Sequence, residues 1–203
     1  MVNEQWKQYQ VIDKPPSHTA LKALELFKED SGKITGHAMD LGCGIGTDSL
    51  LMIQNGWHVT AIDIEIYGIT QLKEKLELDI RDNLRILEQA FETLHLQQSD
   101  WINASFSIPF CKPESFKRLW YEITTSLRSG GRFYGILLGD RDSWAKYFED
   151  ERTFHTYSEV HKMLIEFDVE LFHEVEREGY CMGENGQKVE KHWHYYEIVA
   201  RKR

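Results

Sequence analysis

Ala38-Met39-Asp40-Leu41-Gly42-Cys43-Gly44-Ile45-Gly46-Thr47 is the stretch on which the fold turns. A short apolar strand, Ala38 to Leu41, runs straight into three glycines at alternate positions. Behind them, Asp48 to Asn55 reads as a helix that Asn55-Gly56 ends. Glycines at such a turn permit tight backbone geometry and let a ligand approach without meeting Cβ atoms. Working outward, Trp57 to Asp63 is a β-rich run and predicts a second strand. Ile69 to Asn83 predicts a long charged helix, Leu84 to Gln89 a third strand and Asp100 to Ala104 a fourth. Ser115 to Leu127 carries Phe116, Leu119, Trp120 and Ile123 at helical spacing. Ser129-Gly130-Gly131 ends that helix, and Arg132 to Leu138 follows as an apolar fifth strand. A helix near Tyr157 to Phe167 precedes two last strands, Asp168 to Glu174 and Trp193 to Ala200. Upstream, Thr19 to Glu29 has Leu21, Leu24 and Phe27 on one helical face. This alternation predicts a doubly wound α/β fold with a mostly parallel, seven-stranded sheet and helices on both faces. Ligands of such sheets bind beyond the carboxyl ends of the strands, and the search for chemistry belongs there.

The chain has 203 residues, 41% of them hydrophobic and 28% charged, which suits one globular domain spanning 1–203. No apolar run is long enough to span a bilayer, and the polar N-terminus lacks the apolar centre of a secretory signal. Cys43, Cys111 and Cys181 are odd in number and scattered, arguing against a disulfide framework or a zinc site. A reducing, cytoplasmic location is the expectation. The formal net charge of -9, with basic residues massed only at Arg201-Lys202-Arg203, disfavours a phosphate-gripping nucleic-acid binder.

The glycine spacing is G-x-G-x-G, not the G-x-G-x-x-G of a dinucleotide site, which must place a pyrophosphate at a helix N-terminus. Asp40, just before the loop, is awkward beside a pyrophosphate and suits a cationic ligand. Asp63 closes the second strand about 20 residues after the first glycine, where a carboxylate can accept hydrogen bonds from both hydroxyls of a ribose.

Four segments in this order resemble the class I S-adenosylmethionine-dependent methyltransferases. They are Asp40 to Gly46, Val59 to Asp63, Asn103-Ala104-Ser105-Phe106-Ser107-Ile108-Pro109-Phe110-Cys111, and Leu127 to Phe133. A finer likeness is to small tellurite-resistance and thiopurine-like methyltransferases. The resemblance implies a Rossmann-like methyltransferase fold whose last strand is antiparallel, S-adenosylmethionine as cofactor and S-adenosylhomocysteine as product. It also implies a cofactor-binding set. Gly42, Cys43, Gly44 and Gly46 would line the methionine part, with Asp40 beside them. Asp63 and Ile64 would meet the ribose and adenosine side, and Asn103 and Ala104 would lie near the transferred methyl. Ala90 and Phe91 would fall at the adenine pocket. There the chain departs from the family, because Ala90 stands where an acidic residue is usual. Either Gln89 accepts the adenine hydrogen bond or backbone groups carry that recognition.

Methyl transfer from a sulfonium is a direct displacement in which the enzyme chiefly positions the nucleophile, so no catalytic residue is singled out. The implied function is transfer to a small-molecule acceptor. A protein or RNA methyltransferase, or a non-catalytic binding module retaining the fold, are the alternatives. Asn103-Ala104-Ser105-Phe106 lacks the Asn-Pro-Pro-aromatic motif of the exocyclic-amine methyltransferases. Ser105 and Phe106, with Phe110 around Pro109, offer an apolar acceptor wall, or are core. Arg141 after the fifth strand would clamp an anionic acceptor; alternatively Asp142 or Ser143 caps the helix that holds Trp144. By the same resemblance, Trp6 and Tyr9, with Pro15 to His18, make residues 1–18 a candidate lid over the cofactor with Trp6 and Tyr9 facing the substrate, or a leader packed on the surface. His192 and His194 share a face of the last strand, but no suitable Cys or carboxylate spacing accompanies them and no metal is assigned. Oligomeric state is not legible.

Overall fold

The computed structural model describes residues 15–30, 35–183 and 187–203. In chain order the elements are α1 (His18–Glu29), β1 (His37–Leu41), α2 (Thr47–Gln54), β2 (His58–Asp63), α3 (Tyr67–Lys75), α4 (Leu78–Arg81), β3 (Leu84–Glu88) and β4 (Ser99–Ala104). Then come α5 (Pro113–Ser126), β5 (Leu127–Gly139), β6 (Phe154–His155), α6 (Tyr157–Met163), β7 (Phe167–Met182) and β8 (Lys188–Lys202). The sheet order is β3-β2-β1-β4-β5-β8-β7, with the short β6 also pairing β5. Strands β1 to β5 are mutually parallel, and β8 is antiparallel to both β5 and β7. The doubly wound, mostly parallel sheet with an antiparallel last strand is therefore present.

Both faces of the sheet are covered, as parallel strands buried on two sides require. On one face α1, α2 and α3 bury Ala20, Ala23, Phe27, Met52, Ile53 and Ile69 against Ala38, Val59, Trp101 and Tyr134. On the other, α5 and α6 bury Phe116, Leu119, Ile123 and Val160 against Met39, Ile102, Phe133 and Tyr196. Phe27, Trp57 and Trp101 form an aromatic trio with centroids 4.7 to 5.4 Å apart. The buried Arg132 lies over the Phe27 ring at 4.7 Å, forks onto Glu170 at 2.6 and 2.7 Å and pairs Asp30 at 2.8 Å. One guanidinium thus pins α1 to β5 and β7, which fixes where the N-terminus of α1 falls. No helix among the described residues is long and apolar enough to cross a membrane.

Three expectations need correction. The helix foreseen over 69–83 is two helices, because Leu76 is extended at the end of α3 and Arg81 caps that end, donating to the Lys73 and Glu74 carbonyls. Ser129-Gly130-Gly131 does not precede β5 but lies inside it, as an irregularity where the β4–β5 register shifts between Ser99 and Trp101. There Gly130 is left-handed at φ 79°, and a Cβ on Gly131 would lie 2.9 Å from the Asp100 carbonyl oxygen. Finally, the last two strands are far longer than foreseen. β5 and β8 are paired as far as Leu138 and Tyr195, whereas the β7–β8 ladder runs on from Glu176–His194 to Met182–Lys188. This overhang projects past the carboxyl ends of the parallel strands.

Candidate functional site

The loop after β1 explains its own glycines. Gly42, Gly44 and Gly46 all have positive φ, 68°, 55° and 82°, which L side chains adopt rarely. Packing separates their roles. A Cβ on Gly42 would sit 2.3 Å from Ser107 Cβ, and one on Gly46 would sit 1.9 Å from Ile69 Cδ1. A Cβ on Gly44 meets nothing within 4 Å. Gly42 and Gly46 are thus small because the protein closes on them, whereas Gly44 faces open space.

The loop amides are turned inward. Gly42 N–H and Cys43 N–H both donate to the Ile62 carbonyl, at 2.7 and 3.0 Å, and Gly46 N–H donates to the Cys43 carbonyl at 2.9 Å. Gly44 N–H donates to Asp63 Oδ2 at 2.8 Å. A phosphate cradle needs such groups free to point at the ligand, so this loop is not built for one.

Carboxylates surround it instead. Asp40 is buried, accepting from Ser49 Oγ at 2.6 Å and from Asn103 Nδ2 at 2.8 Å. The same Asn103 Nδ2 lies 3.1 Å from Asp48 Oδ2, so one amide bridges two carboxylates. Burial first, and then the neighbouring Asp48 charge, push Asp40 up to about 7 against the pull of its two hydrogen bonds. Asp63 is raised in the same way, chiefly by burial, while the amides of Gly44 and Glu65 oppose the shift. Asn103 Oδ1 is buried without a hydrogen-bond partner, an orphaned acceptor beside this cluster.

Asp48 also anchors α1. Ser17, the N-cap of that helix, donates its N–H and its Oγ–H to the two Asp48 oxygens, each at 2.7 Å, and its Oγ accepts from Ala20 N–H. Asp48 and Ser49 escaped the sequence reading of the site, and Ser17 entered it only as part of the candidate lid. The partial signal was Asp48 in the first turn of a helix behind a glycine loop, where a carboxylate complements the helix dipole.

The remaining expected residues fall as follows. Ile64 is half-exposed just beyond Asp63. Ala90 begins a 3-10 turn, Phe91–Thr93, whose carbonyls at Phe91 and Leu94 accept from Arg118. Phe91 Cζ lies 3.5 Å from where a Gly42 Cβ would be, so its ring reaches the glycine loop. Gln89 Nε2 donates to the Thr93 carbonyl. Cys43 is buried with its thiol raised by that burial, and Ala104 is fully buried in the core. Ser105 Oγ lies 3.5 Å from Thr19 Oγ1, which ties the loop after β4 to α1. Phe106 is exposed beside Trp193 and Tyr195 of β8. Trp6 and Tyr9, and all of the candidate lid before Pro15, lie outside the described residues.

Arg141 is not a free anion clamp. Its guanidinium binds Glu174 at 2.7 Å and Glu176 at 2.9 Å, carboxylates that β7 presents where it begins to run past β5. The capping alternative is what the structure shows: Asp142 accepts from Trp144 N–H at 2.9 Å at the head of the 3-10 turn Ser143–Lys146. Asp142 is also the buried partner of the Lys191 ammonium and accepts from His194 N–H at 3.1 Å. Trp144 is placed by these bonds, with the Lys191 ammonium 3.9 Å and the Arg152 guanidinium 4.0 Å from its ring centroid. His194 accepts the Arg141 backbone N–H at Nδ1 (3.0 Å), which leaves Nε2 to donate to Glu174 at 2.9 Å. His192 bonds Glu178 and Glu176. Both imidazoles thus tie the hairpin together.

Comparison with known proteins agrees with this geometry. Residues 38–131 match the family described as methyltransferase domain. Ribosomal protein L11 methyltransferase of Acetivibrio thermocellus is 28% identical over 90 residues, 44% of this chain but only 29% of that protein. Among solved structures, TehB from Haemophilus influenzae superposes with a TM-score of 0.69 at 19% identity, over 90% of this chain and 62% of that one. The 1,6-didemethyltoxoflavin-N1-methyltransferase of Burkholderia thailandensis, crystallised with its acceptor and S-adenosylhomocysteine, gives 0.63 at 19% identity, over 91% and 78%. The two structures share the fold of this chain.

Proposed function

We propose, from the match of residues 38–131 to a methyltransferase domain, that this chain moves the methyl group of S-adenosylmethionine to a small molecule. The observation that supports this best is the set of carboxylates, Asp40, Asp48 and Asp63, around a glycine loop whose own amides are bonded within the protein. Such a site repels a pyrophosphate and suits a ligand that carries positive charge and a vicinal diol. When bound, the cofactor supplies an electrophilic methyl on a positively charged sulfur. The residues present fit it. Asp63 keeps lone pairs free beyond its bonds to Gly44 and Glu65 and would accept from the ribose hydroxyls. Asn103 Oδ1, the orphaned acceptor, would take an N–H of the amino-acid part, and Asp40 and Asp48 would balance its charge. Gly44 leaves room for backbone contact.

The chain's task is then orientation, which supplies roughly 7–11 kcal/mol of a displacement barrier when the reacting atoms are held in line. The acceptor side is the loop Ser105 to Phe110 and the overhang of β7 and β8. Bulky side chains at that edge, Phe106, Trp144 and Trp193, support a small acceptor. Calorimetric titration with S-adenosylmethionine, S-adenosylhomocysteine and a nicotinamide dinucleotide tests the reading. Micromolar binding of the first two alone, about -8 kcal/mol, is expected. Binding of neither overturns it.

A further inference from the structure

Phe106 is the non-glycine residue with a left-handed backbone among the described residues, φ 50°. A bulky side chain in that region is strained, and such strain persists only where the surroundings over-determine it, most often at ligand sites. Here both neighbours are fixed. Ser107 Oγ donates to the Leu41 carbonyl, its own carbonyl accepts from Phe110 N–H at 3.0 Å, and Ser105 Oγ meets Thr19 Oγ1. The strain does not serve core packing, because the ring it presents is 39% exposed.

What the ring meets is aromatic and comes from the overhanging hairpin. Its centroid is 5.9 Å from Trp193 at 76° and 5.2 Å from Tyr195 at 62°. Trp193 in turn lies 5.5 Å from Trp144. These edge-on spacings are those aromatic rings prefer, and they leave a strained, part-open ring just past the carboxyl end of β4, the strand that carries Asn103. Of the nearby cations, Lys191 is matched by Asp142, Arg141 by Glu174 and Glu176, and His192 by Glu176 and Glu178, while Arg152 lies over the Trp144 ring. With Asp40, Asp48 and Asp63 below, the local field opposes an anionic acceptor.

We infer that the methyl acceptor is a planar aromatic or heteroaromatic molecule, neutral or cationic, whose ring lies on Phe106 with Trp193 and Tyr195 as walls. This rests on the methyltransferase reading and adds the substrate class. The test uses the full chain saturated with S-adenosylhomocysteine. Its probes are 4-aminoquinoline and 2-mercaptobenzimidazole as planar molecules, cyclohexylamine as an aliphatic one and selenite as an oxyanion, followed by calorimetry. The planar probes should bind about two- to tenfold tighter than cyclohexylamine, as a ring-on-ring contact gives. Phe106→Gly should abolish that preference while leaving S-adenosylhomocysteine affinity unchanged, and glycine accepts the left-handed backbone, so the fold is retained. Phe106→Tyr should keep the preference. If the wild type binds S-adenosylhomocysteine but shows no planar preference, or binds selenite best, or if Phe106→Gly changes nothing, the inference falls alone. If S-adenosylhomocysteine itself fails to bind, the methyltransferase reading falls and takes the inference with it.

Discussion

Replacing Asp40 by Asn should make the ligand-free protein more stable above neutral pH and a poorer binder of its cofactor. The side chain is buried, 2% exposed, beside a second carboxylate, and its ionisation is pushed from the ordinary 3.8 up to about 7. A folded-state value above the unfolded one means the protonated form is favoured in the fold. The resulting stability is complete below pH 4 and is lost as pH rises to about 7. Each pH unit across that interval is worth about 1.36 kcal/mol, so ionising Asp40 inside the fold costs up to ~4 kcal/mol. Asparagine keeps the shape, can still accept from Asn103 Nδ2, and can donate to Ser49 Oγ, whose hydroxyl is free to rotate. Urea melts at pH 5 and pH 8 should therefore show wild type weaker at the higher pH and the variant nearly level, with about 2–4 kcal/mol between them at pH 8. In the same variant a cationic ligand loses a countercharge, and S-adenosylmethionine affinity should fall about tenfold or more, by ~1.5 kcal/mol or above. A variant no more stable than wild type at pH 8, with the same pH slope, would refute the argument that Asp40 is held as a strained buried acid.

Removing the Asp63 carboxylate as Ala should weaken S-adenosylhomocysteine binding by about 1.5–3 kcal/mol, read by calorimetry, with a thermal melt to separate this from loss of the bonds it makes to Gly44 and Glu65. The glycines should separate cleanly. Gly46→Ala drives a Cβ onto Ile69 and should cost roughly 2–4 kcal/mol in a denaturant melt, while Gly44→Ala should cost only about 1 kcal/mol for its positive φ yet abolish cofactor binding. Asp142→Ala strands the buried Lys191 ammonium and should destabilise by about 3–5 kcal/mol, and adding Lys191→Met should recover most of that loss.

The parts of this molecule that were legible in the sequence are those whose structure is local. Asp40 to Gly46 and Val59 to Asp63 each carry their strand, turn and end-group within a few residues, and parallel pairing of β1 with β2 brings Asp40 beside Ala61 and Leu41 beside Ile62 without further information. Asp48 was missed because its role depends on Ser17, 31 residues earlier, and on Asn103, 55 residues later. The overhang was missed because most of residues 176–182 and 188–192 lie off the core. Glu176, Arg177, Glu178 and Glu190 are exposed, so the period-two apolar pattern that marks a half-buried strand is absent. Its remaining signal was Asn185-Gly186, a dipeptide suited to a hairpin turn. Arg141 misled because its partners, Glu174 and Glu176, lie 33 and 35 residues further along the chain.

Asp48 also settles why an acidic cluster can be kept at this edge at all. A buried carboxylate pair is unfavourable unless each member gains donors, and here the donors come from three different elements: Asn103 from β4, Ser49 from α2, and Ser17 from the start of α1. The fold therefore holds ready a site whose negative charge is only partly matched, with Asn103 Oδ1 left over. A cation arriving there favours ionised Asp40. Hydrogen bonds to an ionised carboxylate are stronger than those to a neutral one, and Asn103 Nδ2 shares its bond between Asp40 and the Asp48 that holds Ser17. Ligand charge at the end of β1 is thus felt at residue 17, and α1, held to β5 and β7 through Arg132, is the rigid body on which that tie acts.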